Sequence, residues 1–239
     1  MAKRSAQIEM KLRPAPRWGG WRENAGRKKS PTSGMSHLRR EQFSSTLPMH
    51  VTVRLLPGLL SLRTQKLVRA LERTFANGCD RADFRLVHYS LLGNHAHLIV
   101  EARGADALGR GMMAIGSRLA LAVNRVMGRK RGRVVADRYH AHLLRTPREV
   151  RNALRYVLLN TRKHAAVSAR AALRGMEVVL DPASSARWFD GWKLASSRVP
   201  GADEGTAAHD PPPVARARTW LLRLGWRRYG LLDPAHVPG

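Results

Sequence analysis

The sequence predicts an α+β fold: an antiparallel sheet with helices packed on it, preceded by a flexible basic arm and followed by a helical C-terminal extension. Two observations carry this expectation. Apolar residues recur with a helical period in three segments of the middle region and alternate with a strand period in four. Those segments come in the order β-α-β-β-α-β-α, an order that pairs strands antiparallel and lays the helices against them. The expected boundaries are 1–47 for the arm, 48–165 for the domain and 166–239 for the extension.

The arm mixes Arg, Lys, Gly, Pro and Ser without apolar periodicity. A first strand is predicted over residues 50–56, ended by Pro57-Gly58. Ser61 is the expected cap of a helix whose Leu67, Leu71 and Phe75 share one face, and Asn77-Gly78 stops it. Strands over 84–91 and 95–101 follow, joined by the tight turn Leu92-Gly93-Asn94. Asp106 is read as the cap of a long second helix reaching about residue 127, with Met112, Ile115, Leu119 and Val123 inward. A basic loop leads to a fourth strand over 139–144. Thr146-Pro147-Arg148-Glu149 then has the residues of a capping box with proline at the first helical position. That helix should run to about residue 164, with Val150, Leu154, Val157 and Leu158 inward. In the extension, Pro211-Pro212-Pro213 breaks the chain, and residues 219–229 read as a short docking helix carrying Trp220, Leu221, Leu224 and Trp226.

Lys and Arg number 43 against 17 Asp and Glu, a formal net charge of +26. The net is +8 on residues 1–47, +15 on 48–164 and +3 on the remainder. Self-repulsion of that size points to an anionic partner, nucleic acid before an acidic membrane surface. The single cysteine, Cys79, excludes an internal disulfide and any Cys-rich zinc site, and reads as a buried or half-buried thiol at a helix end. The first residues are charged, with no apolar core of signal-peptide length, and no stretch approaches the roughly 20 apolar residues of a membrane span. A cytoplasmic protein is expected.

Gly93-Asn94-His95-Ala96-His97 is the most informative stretch. Side chains alternate along a strand, so His95 and His97 share a face about 7 Å apart, at roughly 3.4 Å per residue. Two imidazoles so placed can share a divalent ion. Ala96, Leu98 and Val100 would face the core. A plain half-polar strand gives the same pattern, and His140-Ala141-His142 repeats the spacing on another predicted strand; composition and period do not choose between the pairs. The second element is Tyr156-Val157-Leu158-Leu159-Asn160. Positions i and i+4 stack on one helix face, so a phenol and a carboxamide present together, unless the segment is simply an amphipathic helix with a boundary tyrosine.

Together these elements resemble the single-tyrosine HUH transposases, and within them the REP-associated tyrosine transposases. The resemblance covers residues 49–164. It is carried by His50-Val51-Thr52-Val53-Arg54, by Gly93-Asn94-His95-Ala96-His97-Leu98-Ile99-Val100, by Asp137-Arg138-Tyr139 and by Tyr156-Val157-Leu158-Leu159-Asn160. It implies a ferredoxin-like HUH nuclease core, with His95 and His97 as metal ligands, Asn160 as the third ligand and Tyr156 as nucleophile. It also implies Mg²⁺ or Mn²⁺ as the ion and passes over His140 and His142. Two departures stand out: Ala96 is smaller than the family's usual residue between the histidines, and Thr161 replaces the proline that often follows the asparagine.

The implied activity is cleavage and rejoining of single-stranded or hairpin DNA through a 5′-phosphotyrosine, by a monomer or homodimer. A phenol with a pKa of about 10 is a poor nucleophile unless the scissile phosphate is activated and aligned, which a hard Lewis acid does. DNA contacts are expected from Arg125, Arg129, Lys130, Arg131, Arg133 and Arg138 in the basic loop. Arg151, Arg155, Arg162 and Lys163 on the last helix would add to them. Tyr139, Trp220 and Trp226 are candidates for stacking on bases or for packing. Two other readings compete: a non-catalytic DNA- or RNA-binding relative, and a metal hydrolase pairing His88, His95 or His97 with a carboxylate such as Glu101.

Overall fold

A computed structural model describes residues 42–168, 180–193 and 212–234, with the side chains of 161–168 excepted; all of them fall in one compact unit, Gly34–Gly239. The expected arm lies mostly outside the described residues. The observed order is β1 Met49–Arg54, α1 Gln65–Ala76, β2 Phe84–Leu91, β3 His95–Ala102, α2 Ala105–Val126, β4 His140–Leu143 and α3 Pro147–Ser168. A 3₁₀ turn at Ser185–Trp188, the one-turn helix α4 Trp220–Arg223 and a 3₁₀ turn at Gly225–Tyr229 follow. The strands form one antiparallel sheet in the order β2-β3-β1-β4. The fold is therefore α+β, with β3 inserted between β1 and β2 and with β1 between β3 and β4, the split βαβ arrangement of ferredoxin-like domains.

Alternation sorts the sheet's two faces. Met49, Val51 and Val53 of β1 and Ala96, Leu98 and Val100 of β3 join Leu67, Leu71 and Phe75 of α1 and Met112, Ile115, Leu119 and Val123 of α2 in one core. The opposite face carries His50, Thr52 and Arg54 beside His95, His97, Ile99 and Glu101, and α3 covers it with Val150, Leu154, Val157 and Leu158. Burying each of these apolar side chains larger than alanine contributes about 2 kcal/mol. In β2 the register slips between Leu86 and His88. This bulge takes up one extra residue, Val87, so that Tyr89 and Leu91 still meet the first core while His88 and Ser90 face α3.

Helix starts differ from expectation where tertiary contacts intervene. Helix α1 begins after Thr64, not Ser61, because Leu62 is drawn into the core and its N–H donates to Gly93 O at 3.0 Å, holding residues 59–64 as a loop. Helix α2 begins after Gly104, which leaves Asp106 in the first turn, where a carboxylate suits the positive end of the helix dipole. Helix α3 starts where the capping residues put it. Glu149 N–H donates to Thr146 Oγ1 at 3.2 Å, and the Glu149 carboxylate accepts from Thr146 Oγ1–H at 3.1 Å and Arg145 N–H at 2.9 Å.

The extension packs on α3 through Leu180, Ala186, Phe189, Leu221, Leu222, Trp226 and Leu232. Its docking element is a helical turn plus a 3₁₀ turn, and only part of it is buried: Trp226 is enclosed, with Nε1–H donating to Leu222 O at 2.9 Å, whereas Trp220 and Leu224 are exposed. Arg63 grips Asp181 with both terminal nitrogens, at 2.8 and 2.9 Å. Cys79 is buried beyond the end of α1, and burial pushes its thiol pKa up.

His88 is sealed beneath the extension, with Nδ1 3.2 Å from Ser185 Oγ and its ring edge-on to Phe189. Burial lowers its pKa from 6.5 to about 4, and Asp190 offsets this only in part. The unfolded chain therefore takes up the proton first, so stability is complete above pH 6.5 and falls as pH drops toward 4. The contribution is about 3 kcal/mol, at about 1.4 kcal/mol per pH unit. Urea titrations of wild type and His88→Gln between pH 7 and 4 should show a shallower acid loss in the variant; matching pH profiles would mean that His88 does not carry this loss.

Candidate active site

The face covered by α3 brings the sequence elements together. Cross-strand register sets Ser90, His97, Thr52 and His140 in one row and His88, Ile99, His50 and His142 in the next. From above, Tyr156 on α3 points its hydroxyl at His97 Nε2, 3.3 Å away. Its ring stands edge-on to His97, with centroids 4.9 Å apart, and to His50 at 5.7 Å. His95 stands perpendicular to His97, at 4.9 Å. The strand pair and the helical tyrosine meet within a single chain.

Both nitrogens of His97 have partners. Nδ1 is 3.1 Å from Thr52 Oγ1 and 3.1 Å from His50 Nε2. With its proton on Nδ1, His97 donates toward these two atoms and accepts the Tyr156 hydroxyl at Nε2. Asn94 Oδ1, 2.8 Å from His95 Nδ1, selects the same tautomer on His95 and puts its lone pair on Nε2. Burial, with His50 and His95 nearby, drops the pKa of His97 to about 3. Burial, with His142 and His140 nearby, drops that of His50 to about 4. Both rings are neutral at neutral pH, the form in which imidazole ligates.

Asn160 is 1% exposed, and its Nδ2 has no hydrogen-bond partner among the described residues. It lies about 6 Å beyond Tyr156 along the helix axis. A half-turn about its last side-chain bond exchanges nitrogen for oxygen. Among the described residues no three His, Cys, Asp or Glu side chains group as a metal site. The residues present fit a hard divalent ion as two imidazoles with second-partner hydrogen bonds, plus an orphaned buried carboxamide.

His50 and Thr52 were not assigned a role from sequence. Their alternation was visible, but the β1–β3 register that places Thr52 opposite His97 was not. His140 and His142 share the face on the edge strand, where both are exposed and neither side chain makes a hydrogen bond or ring contact among the described residues. Glu101 does lie on this face, but its carboxylate accepts from Arg218 N–H at 2.9 and 3.0 Å and from Thr219 N–H at 2.8 Å. His88 is sealed against Ser185. Neither is available to a carboxylate–imidazole metal centre.

The basic loop after α2 runs beside the end of β1, with Leu56 N–H donating to Val134 O and Ala136 N–H to Arg54 O. Arg54 pairs with His95, so the loop borders the His95 end of the sheet. Arg125, Lys130, Arg131 and Arg133 are exposed, and Arg129 and Arg138 half-buried. Arg133 folds back onto Val135 O and Ala136 O, which engages much of its fork. Arg151 reaches Gly230 O and Leu231 O of the extension, both at 3.4 Å, and Arg155 is half-buried. The side chains of Arg162 and Lys163 lie outside the described residues. Tyr139 is half-buried against the first core, and Trp226 is fully packed. Among the described residues no helix is long and apolar enough to cross a membrane.

No protein-family model matches the chain, and no curated protein matches it. Among solved structures it is similar to a REP-associated tyrosine transposase bound to a REP hairpin, at 22% identity over 56% of this chain and 77% of that one, with a TM-score of 0.41.

Proposed function

We propose that the chain is a metal-dependent nuclease and strand transferase of the single-tyrosine transposase type, acting on single-stranded or hairpin-forming DNA. The observation that carries this reading is the Tyr156 hydroxyl 3.3 Å from His97 Nε2, with His95 at the same edge. His95, His97 and Asn160 would hold Mg²⁺ or Mn²⁺, His97 through the Nε2 lone pair that here accepts from Tyr156, and the ion when bound would supply Lewis-acid stabilisation of charge developing on the scissile phosphate. Thr52 and His50 fix the His97 ring, and α3 fixes the phenol beside it. The Tyr156 oxygen gives up its proton and attacks phosphorus, the bond to the 3′ oxygen breaks, and that oxygen takes up a proton and leaves as a 3′-hydroxyl. The ester left on Tyr156 keeps the phosphodiester linkage, so a 3′-hydroxyl attacking in reverse rejoins DNA without ATP. The formal charge of +26 suits a polyanionic substrate.

The test offers end-labelled hairpin oligonucleotides with Mg²⁺ or Mn²⁺ and looks for a covalent protein–DNA band on denaturing gels. Wild type should form it, EDTA should abolish it, and His95→Ala should lose Mn²⁺ binding by titration while His140→Ala retains it. Binding of DNA with no band under any metal would leave a non-catalytic binder. Mn²⁺ binding lost with His140→Ala instead would move the centre to β4.

A further inference from the structure

We infer that the C-terminal extension completes a second nucleic-acid subsite, a cleft that takes the single strand flanking the reacting phosphate, with Trp220 stacking on a base. This rests on the nucleic-acid reading proposed above. The cleft, about 480 Å³, opens at the sheet end where β3 and β4 finish and α3 begins. Its walls carry Arg85, Arg103, Arg145 and Arg218 against two carboxylates, Asp83 and Glu101.

Both carboxylates already have partners. Arg110 NH2 pairs with Asp83 at 2.5 Å, and Glu101 is turned inward onto the Arg218 and Thr219 amides. Arg103 and Arg145 are exposed and make no ion pair among the described residues. Arg85 and Arg218 are themselves paired with Asp80, at 2.9 and 3.9 Å, so Arg103 and Arg145 are the cations the cleft presents to a phosphate backbone. Trp220 is 49% exposed at its rim, although a tryptophan in a docking element would ordinarily be packed. Gly225 lets the ring lie against the backbone, since a Cβ there would come within 2.7 Å of it, and the Arg228 guanidinium sits 5.0 Å from the ring centroid. On this half-exposed indole a base would take the place of the Arg228 guanidinium. An indole so placed beside Arg103 and Arg145, which make no ion pair among the described residues, is the pairing that grips single strands, because every base offers a π face.

Two rulers give the distance from the tyrosine. From Pro147 at the cleft to Tyr156 is about 14 Å along α3, at 1.5 Å per residue. From Glu101 back to His97 is about 14 Å along β3, at 3.4 Å per residue. At about 3.4 Å of rise per phosphate on a stacked strand, this spans about four nucleotides.

The test measures binding in EDTA, so that cleavage plays no part. Fluorescein-labelled hairpins with single-stranded flanks of zero, two, four and eight nucleotides are titrated by anisotropy against the full chain, Trp220→Ala, Trp220→Phe and Arg145→Ala. Wild type should gain affinity between two and eight nucleotides. Trp220→Ala should lose about tenfold on the eight-nucleotide flank and nothing on the bare hairpin, while Trp220→Phe keeps most of the gain. Arg145→Ala should weaken binding of the long flank and flatten its salt dependence. A flank dependence unchanged in both alanine variants overturns the cleft and leaves the nuclease reading standing. A flank dependence that needs Trp220, in a protein that forms no covalent band with metal, upholds the cleft and sinks the nuclease. Melting curves of each variant identify any loss caused by unfolding, and the Phe variant then decides the matter.

Discussion

Phenylalanine in place of Tyr156 should leave a folded protein that binds hairpin DNA normally and never becomes attached to it. The substitution removes one oxygen. The ring keeps its edge-on contacts with His97 and His50, and the lost hydroxyl partner is a single hydrogen bond of 3.3 Å worth about 1 kcal/mol. Chemistry, by contrast, loses its nucleophile, and the covalent band should fall to background, a loss of order 10⁴ or more. Denaturing gels with labelled hairpin and Mn²⁺ read the adduct, and anisotropy reads binding. A full-strength band from Tyr156→Phe would assign the nucleophile elsewhere. Tyr139 would then be examined next, being the other tyrosine in the resembling segments.

The largest effect on stability should come from Glu101→Ala. The carboxylate is 3% exposed and accepts from two successive backbone amides at the start of α4. Alanine leaves the buried Thr219 amide and the part-buried Arg218 amide without their acceptor, at a cost of about 3 kcal/mol, since each lost bond is to a carboxylate. For a chain of this size that lowers the melting temperature by about 10 °C. Glutamine keeps one acceptor oxygen and should cost roughly half as much. The damage should begin in the extension, so proteolysis near residues 212–219 should precede global unfolding. A melting temperature within a degree of wild type in Glu101→Ala would mean that something else holds α4 to the sheet.

Local patterns were legible in the sequence because they obey local rules. The Leu67-Leu71-Phe75 stripe, the alternation through His95 and His97 and the Thr146–Glu149 cap each depend on neighbours within a few residues, and each appears where expected. Pairings between distant segments were not legible. Thr52 faces His97 because of the β1–β3 register, and no stretch of sequence states which residue of one strand meets which of another. The Val87 bulge is hidden for the same reason, since β2 alone looks regular. Ser61 lost its capping role to a contact between Leu62 and the β2–β3 turn. The basic surplus was read as a surface, yet Arg133 and Arg151 turn to carbonyls of their own chain, a choice that side-chain geometry makes and composition does not. The role of Glu101 was invisible because its partners, Arg218 and Thr219, are more than a hundred residues away.

Tyr156 reaches the histidine strand of its own polypeptide. Under the proposed chemistry, a molecule built this way would hold its reacting groups together on dilution, and adduct yield per molecule should not fall with protein concentration. On that reading, control through self-association would work by obstruction, covering the centre and not supplying a missing piece.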